Sequence, residues 1–286
     1  PGSVLKDLIA SNQVATVSLD KIFRQAAKSK IILNAHKVNN GEMFLSKEEL
    51  EEDTKEDFFF IKENSQERML AQVVSLCTGR LEKYGNYDFF QNIQVLSPTK
   101  KGLLGTKELN RILQEQLNPN IMNLPEKASM GAIFRKGDRV MQIKNNYDIY
   151  WEKEGIGSGI SNKEMGNGVF NGEIGTIIQI DEKEKQVEIQ FDDNKIARYE
   201  VTELDQIEHS YAITIHKAQG SEFDVVIMAI PQTAPMLLTR NLLYTGITRA
   251  KKLLVVIGSK KTLEFMIQNV DSKKRNTGLE FKMEQL

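Results

Sequence analysis

Hydrophobic positions along the 286-residue chain follow two patterns, one spaced for helices packed on a buried sheet and one for short, half-exposed strands. Ser3 to Ala10 has the spacing of a short amphipathic helix, Val14 to Leu19 is β-rich, and Phe23 to Asn39 reads as a helix of Ala, Lys and Ile. Phe58 to Ile61 is an apolar run of strand length. Ser65 to Tyr84 brings Met69, Val73, Leu76 and Leu81 onto one helical face, and Ile93 to Leu96 is apolar again. Strand, helix, strand predicts a parallel βαβ unit. Val225 to Ile230 and Leu253 to Gly258 are almost uniformly apolar, as parallel strands covered on both faces are, and they bracket a helix from about Pro235 to Lys252.

From about Phe134 to Gln206 the pattern changes to alternating short strands: Arg139 to Lys144, Gly172 to Ile180, Gln186 to Phe191 and Lys195 to Val201. Alternation broken by turns at this spacing predicts a small antiparallel barrel inserted into a doubly wound α/β domain. The expected division is 1–133 and 207–286 for the two parts of the α/β domain and 134–206 for the insertion. Seven of the 19 glycines fall between Gly155 and Gly175, which predicts a long, mobile first hairpin loop. Gly41 to Asp57 carries eight acidic residues against two lysines and reads as an exposed linker face.

Composition narrows the class. At 40% hydrophobic and 27% charged residues with six prolines, the chain is not collagen-like, disordered or disulfide-stapled. A net charge of −1 excludes a nucleic-acid binder built on bulk charge, so any DNA site here must be a local groove, and composition alone does not suggest one. Cys77 is the single cysteine and no run approaches the ~18–20 apolar residues of a membrane span, so no membrane partner is expected and a cytoplasmic location is. The chain opens Pro1-Gly2-Ser3-Val4 without an initiator Met or an apolar leader, as expected of a start inside a longer protein.

Two segments stand out chemically. Ile213 to Phe223 reads I-T-I-H-K-A-Q-G-S-E-F ahead of an apolar strand. Thr214 and His216, two residues apart, share a face and can reach a phosphate backbone, Gly220 after Gln219 lets the main chain approach a nucleotide, and Glu222 can accept from ribose hydroxyls. The plainer alternative is a polar turn entering a buried strand. Leu242 to Lys251 reads L-L-Y-T-G-I-T-R-A-K, and Arg249 would lie on the helix feeding the strand at Leu253. A guanidinium is always charged and forks onto phosphate oxygens, though an arginine on a helix is more often simply solvated.

Ile22-Phe23-Arg24-Gln25 and the block from Leu96 to Thr106, L-S-P-T-K-K-G-L-L-G-T, complete the set. In order, the four blocks resemble motif IV, the block that follows it, motif V and motif VI of superfamily 1 DNA helicases, and the surrounding text is similar to the RecD-like helicases; even Pro1 to Leu5 resembles the tail of motif III. The resemblance implies a RecA-like, P-loop-NTPase-type α/β domain with a parallel sheet, interrupted by a small antiparallel Src-homology-3-like β-barrel.

It also implies roles. Arg24 and Arg249 would address the γ-phosphate as catalytic groups, Phe23 would lie against adenine, and Gln219, Gly220 and Glu222 would face the nucleotide. Ser97, Thr99, Lys101, Thr106, Thr214 and His216 would face single-stranded DNA. ATP and Mg²⁺ would serve the full-length enzyme, none being expected on this chain alone. The partners implied are single-stranded DNA, an N-terminal RecA-like domain of the same polypeptide, and nuclease or recombination subunits. Movement would run 5′ to 3′, and this part alone is expected to be inactive. The alternatives are a non-catalytic nucleic-acid-binding or subunit-docking module of the same shape, an RNA helicase, and a conjugative relaxase-helicase.

Two decoys are set aside. Ile177 to Glu182 resembles an apolar strand ending in a magnesium-binding Asp-Glu, but Lys183-Glu184-Lys185 and an alternating strand follow, as in a hairpin turn. Gly102 to Lys107 resembles a phosphate loop, yet G-x-x-x-x-G-K-[ST] occurs nowhere in the chain. His36, His209 and Cys77 offer no zinc set, so no metal site is expected. Trp151 could stack on a base, with packing as the plainer role.

Overall fold

The computed structural model describes residues 4–17, 28–46, 49, 54–154, 163–270 and 279–285. Helix α1 (Val4–Ala10) opens the chain, and Val14 to Val17 forms no strand. Helix α2 (Lys30–Asn39) begins at the Ser29 cap, whose hydroxyl accepts from the Ile32 amide; Phe23 and the other predicted helix residues up to 27 lie outside the described residues. The acidic stretch is not wholly a solvated face. Phe44 is buried with its ring 4.8 Å from Phe58, and Asp57 accepts from the Ile31 amide.

Strand β1 (Phe58–Lys62) is followed by α3 (Gln66–Ser75), a π turn (Leu76–Arg80) and α4 (Leu81–Gly85). The single helix expected from Ser65 to Tyr84 is therefore broken, because Thr78 and Gly79 leave helical geometry, Gly79 at φ +135°. Its apolar face is the one the spacing indicates: Met69, Val73, Leu76 and Leu81 are all buried. Then come α5 (Phe89–Asn92), β2 (Ile93–Ser97) and α6 (Thr106–Leu117).

A hairpin of β3 (Glu126–Ser129) and β4 (Ala132–Arg135) leads into β5 (Arg139–Gln142), β6 (Asn146–Glu154), β7 (Lys163–Val169), β8 (Ile174–Asp181), β9 (Gln186–Phe191), β10 (Ile196–Glu200) and β11 (Ile207–His209). The last seven form one antiparallel sheet in the order β11-β5-β8-β9-β10-β6-β7, around Ile177, Val187, Ile189, Phe191, Ala197 and Tyr199. Part of the segment expected to be a glycine-rich loop is strand β7, paired with β6. Gly166 has a packing reason: a Cβ there would sit 2.5 Å from the Trp151 ring, so Trp151 packs across the pair. Residues 155–162 of the expected loop lie outside the described residues.

The chain then returns as β12 (Ala212–Thr214), β13 (Phe223–Ile230), a 3₁₀ turn (Pro235–Leu237), α7 (Arg240–Ile247), β14 (Ala250–Gly258), α8 (Lys260–Gln268) and α9 (Leu279–Glu284). The helix expected from Pro235 to Lys252 is much shorter, since it waits for its cap at Thr239 and gives way to β14 at Ala250. Arg249 consequently sits in the connection between helix and strand, not on the helix.

Five strands make a parallel sheet in the order β1-β14-β13-β2-β12. Alternation along β13 shows both faces in use. Val226, Met228 and Ile230 join Ile31, Val38, Leu243 and Leu263 on one side, while Val225, Ile227 and Ala229 join Met69, Val73, Leu109 and Leu113 on the other. Burying each larger aliphatic side chain contributes ~1.5–3 kcal/mol, so two apolar layers hold the sheet central. This is the parallel α/β sheet with an antiparallel insertion that the sequence predicts.

Candidate functional site

Parallel pairing of β12 with β2 brings two of the sequence blocks together at the carboxyl ends of neighbouring strands. Thr214 is in register with Ser97, and the Ile215 amide donates to the Ser97 carbonyl at 3.0 Å. The connection from Ser97 to α6 is folded on itself. The Ser97 hydroxyl donates to the Leu104 carbonyl at 2.7 Å, the Thr106 amide to the Thr99 carbonyl at 3.0 Å, and the Lys101 amide to the Thr99 hydroxyl at 3.2 Å. Gly102 takes φ +90° at the turn, and at Gly105 a Cβ would lie 2.5 Å from the Lys101 carbonyl.

Of the six residues expected to face DNA, Lys101 and His216 are exposed, whereas Ser97, Thr99, Thr106 and Thr214 are buried. All six fall on the same edge of the sheet or on the loop and turn leaving it. Two lysines there escaped the sequence analysis. Lys217 Nζ lies 2.6 Å from Glu208, and Lys100 Nζ lies 3.8 Å from the same carboxylate. Burial would raise the Glu208 pKa, but the Lys217 hydrogen bond and the charges of Lys217, Lys100 and Lys107 outweigh it and leave the carboxyl below its ordinary value. Nothing in the sequence pairs Glu208 with a lysine nine positions on. Asn110, on α6, ties the helix to β12 by donating to the Ala212 carbonyl at 3.0 Å and accepting from the Ala212 amide at 2.8 Å.

From Thr214 the chain makes a compact turn. The Lys217 and Ala218 amides both donate to the Thr214 carbonyl, and the Ser221 amide donates to the Ala218 carbonyl. Gln219 and Gly220 are exposed, Gly220 at φ +86° with open space where a Cβ would stand, and Glu222 is exposed next to β13. Arg249 closes this turn from the other side. Its Nη1 donates to the Ser221 carbonyl at 2.8 Å, its Nε to the Thr245 carbonyl at 3.1 Å and its Nη2 to the Thr248 hydroxyl at 3.2 Å. Arg249 and Glu222 thus flank one short turn; Phe23 and Arg24 lie outside the described residues.

A polar cavity of about 400 Å³ adjoins this turn, walled by Ser221 and Glu222 at the end of the turn, by Asp224 of β13, and by Arg139 and Asp192 from the inserted domain. Asp224 is held below its usual pKa by the hydrogen bond and charge of Lys252, with Lys251 adding to them. The Asp181-Glu182 decoy is a turn: Asp181 accepts from the Lys183 and Glu184 amides at 2.8 and 3.0 Å. Among the described residues no group of three or more His, Cys, Asp or Glu side chains is placed to hold a metal ion. No helix among them is long and apolar enough to cross a membrane.

Residues 109–191 match the family described as ATP-dependent RecD-like DNA helicase SH3 domain, and residues 209–257 match the UvrD-like helicase C-terminal domain. The chain is 30% identical over 279 residues to the ATP-dependent RecD2 DNA helicase of Deinococcus radiodurans, covering 95% of this chain and 33% of that protein. It is 31% identical over 315 residues to an uncharacterised Methanocaldococcus jannaschii protein (96% of this chain, 25% of that protein). Against the RecBCD enzyme subunit RecD of Buchnera aphidicola it is 31% identical over 173 residues, covering 60% and 26%. Among solved structures, Pif1 helicase from Bacteroides in complex with ADP-AlF3 and ssDNA aligns with a TM-score of 0.46 at 13% identity, over 94% of this chain and 56% of that one. The chain spans a quarter to a third of the length of these three relatives. The chain thus carries an SH3 domain of the ATP-dependent RecD-like DNA helicase type, and the part of the parallel sheet that follows it carries the sequence of a UvrD-like helicase C-terminal domain.

Proposed function

We propose that this chain is the C-terminal motor part of an ATP-dependent helicase that moves 5′ to 3′ on single-stranded DNA in the cytoplasm. One observation carries the proposal: the segment from Thr214 to Glu222 has the β2–β12 edge at its start and the Arg249 guanidinium on its end. A nucleic-acid contact and a nucleotide contact are therefore joined by nine residues of hydrogen-bonded turn. In this proposal Lys101, His216 and the main chain at the tip of the 97–106 loop meet the phosphodiester backbone. Ser97, Thr99, Thr106 and Thr214 give the loop its shape and present their edge to the strand.

The residues present fit one wall of an ATP site. Glu222, exposed beside the turn, would accept from ribose hydroxyls, Gly220 leaves room for close approach beside Gln219, and Arg249 offers a fixed positive charge whose fork is oriented by two main-chain carbonyls. Arg24 and Phe23 are assigned to the same wall on their motif alone. ATP with Mg²⁺ supplies the phosphoryl group whose departure drives movement. Its phosphate loop and metal ligands are assigned to another RecA-like domain of the full-length protein, so the 286 residues alone are expected not to hydrolyse ATP. The domain division proposed is 1–133 with 207–286 for the motor fold and 134–206 for the barrel, whose sheet also takes in β11 (Ile207–His209), and nuclease or recombination subunits are proposed partners.

The test is strand displacement by the full-length protein on duplexes carrying a 5′ tail, a 3′ tail or none. ATP-dependent displacement confined to the 5′-tailed duplex is the expected result. Tight binding to tailed DNA without displacement or ATP turnover would instead identify a non-catalytic binding module.

A further inference from the structure

Asp138 and Arg139, where the chain enters the barrel, are opposite in charge and 0% and 6% exposed, yet each bonds to a different part of the α/β domain. Asp138 Oδ1 accepts from Asn118 Nδ2 at 2.7 Å and Tyr211 Oη at 2.8 Å. Its Oδ2 accepts from Gln114 Nε2 and the Arg135 amide, both at 2.7 Å, and from His209 Nε2 at 2.9 Å. Gln114 lies on α6 and Asn118 caps its end, while Tyr211 leads into β12 and His209 ends β11 just before it. Arg139 points elsewhere: its Nη1 donates to the Ile93 carbonyl at 3.0 Å and to the Phe89 and Phe90 carbonyls at 3.4 Å, where α5 meets β2. Burial pulls the Arg139 pKa down, as expected of a cation whose described hydrogen-bond partners are all neutral carbonyls.

Two desolvated charges are a poor way to gain stability, since well-packed apolar side chains of similar volume would serve as well or better. What they provide is direction. A carboxylate with five donors and a guanidinium on three carbonyls are satisfied in one orientation of the barrel only. The elements they hold are the ones that carry the proposed DNA edge. α6 begins at Thr106 and secures β12 through Asn110, and β2 ends at Ser97.

We infer that Asp138 and Arg139 are positioning residues that fasten the barrel to the edge formed by β2, β12 and α6, so that the barrel's orientation follows movement of the 97–106 loop. The inference rests on the helicase proposal for its functional consequence, but not for its geometry.

Two readouts test it. For orientation, Glu184 in a barrel turn and Lys261 on α8, both exposed, are changed to cysteine in the 286-residue chain and labelled for energy transfer. Cys77 is buried with its thiol pushed far above the ordinary range, so it does not compete for label. Asp138→Asn and Arg139→Met should each broaden the distance distribution. For coupling, the same substitutions in the full-length protein should lower strand displacement per ATP hydrolysed about tenfold, the size expected from losing a hydrogen bond to a charged group, while DNA-stimulated turnover is kept. If Asp138→Asn unfolds the chain, Tyr211→Phe and Asn118→Ala, which each remove one donor, should give smaller shifts in the same direction. An unchanged distance distribution in folded variants overturns the clasp. A broadened distribution with displacement per ATP unchanged overturns its role in coupling. Absence of displacement by the wild-type protein overturns the helicase proposal instead, and the distance measurement then judges the clasp by itself.

Discussion

Thr214 stands beside Ser97 in parallel register, and the Ile215 amide binds the Ser97 carbonyl at 3.0 Å, so two segments separated by more than a hundred residues form a single edge. The inserted barrel occupies the sequence between them. Any strand of nucleic acid lying along this edge would meet both segments at once, and the predictions for binding follow from which side chains are free to carry charge there.

Lys101 is exposed at the tip of the loop and has an ammonium to offer a phosphate. For single strands the log–log salt slope is ~−0.7 per neutralised phosphate, so Lys101→Ala should flatten the slope by ~0.7. Thr214→Val should lower affinity with little change of slope, because a neutral hydroxyl releases no counterion. Binding of labelled oligonucleotides of unrelated sequence over a salt series checks both, and sequence dependence of affinity would contradict a backbone contact.

Glu208 works against this edge by holding Lys217 and lying near Lys100. Its carboxyl stays ionised below the usual carboxylate range, so substitution is a cleaner probe than pH. Glu208→Gln should free both ammonium groups and raise affinity for single-stranded DNA. Its salt slope should steepen by ~0.7 for each lysine that reaches a phosphate. Weaker binding by a folded Glu208→Gln protein would show that the ion pair orders the edge rather than masking it.

Gly105 is needed for a close approach and not for its backbone angle. A methyl group there would lie 2.5 Å from the Lys101 carbonyl carbon and oxygen and 2.7 Å from the Lys100 carbonyl carbon, none of which is a flexible side-chain end. Gly105→Ala should therefore destabilise by roughly 1–3 kcal/mol and displace the loop. Thermal unfolding with oligonucleotide binding checks it. A stable variant with normal DNA affinity would mean that the loop shape is not needed for binding.

Much of the α/β domain was legible because its signals are local. β13 and β14 are apolar on both faces and match their predicted cores, and the βαβ order around Met69 and Val73 follows from spacing. The end of α7 was not legible: Thr248 to Lys252 contains no glycine or proline, and it is the pairing of Ala250 with Phe223 of β13 that starts the strand there, with β1 joining from Leu254. β7 was hidden because glycine reads as loop, while Gly166 is there to admit the Trp151 ring from β6.

The candidate site divides in the same way. Its motif residues lie in contiguous blocks that can be read in the sequence, and the family matches at 109–191 and 209–257 agree with the resemblance to RecD-like helicases. Side-chain direction is not readable. That the Ser97 hydroxyl turns inward to Leu104, and that Asp138 gathers His209 and Tyr211 from 71 and 73 positions away, depend on the folded chain alone.

In the proposed function Arg249, clasped to the Ser221 carbonyl beside Glu222, acts on a nucleotide bound at the end of the Thr214–Glu222 turn away from the β2–β12 edge. The most direct measurement is ATP turnover by full-length protein carrying Arg249→Ala, at saturating single-stranded DNA, with nucleotide affinity and thermal unfolding recorded on the same samples. The account predicts turnover reduced by ~10³ or more, as for other arginines that neutralise a transferred phosphoryl group, with nucleotide affinity largely retained and the protein folded. Turnover that stays at the wild-type level in a folded variant, or that falls only in step with the fraction of folded protein, would contradict it.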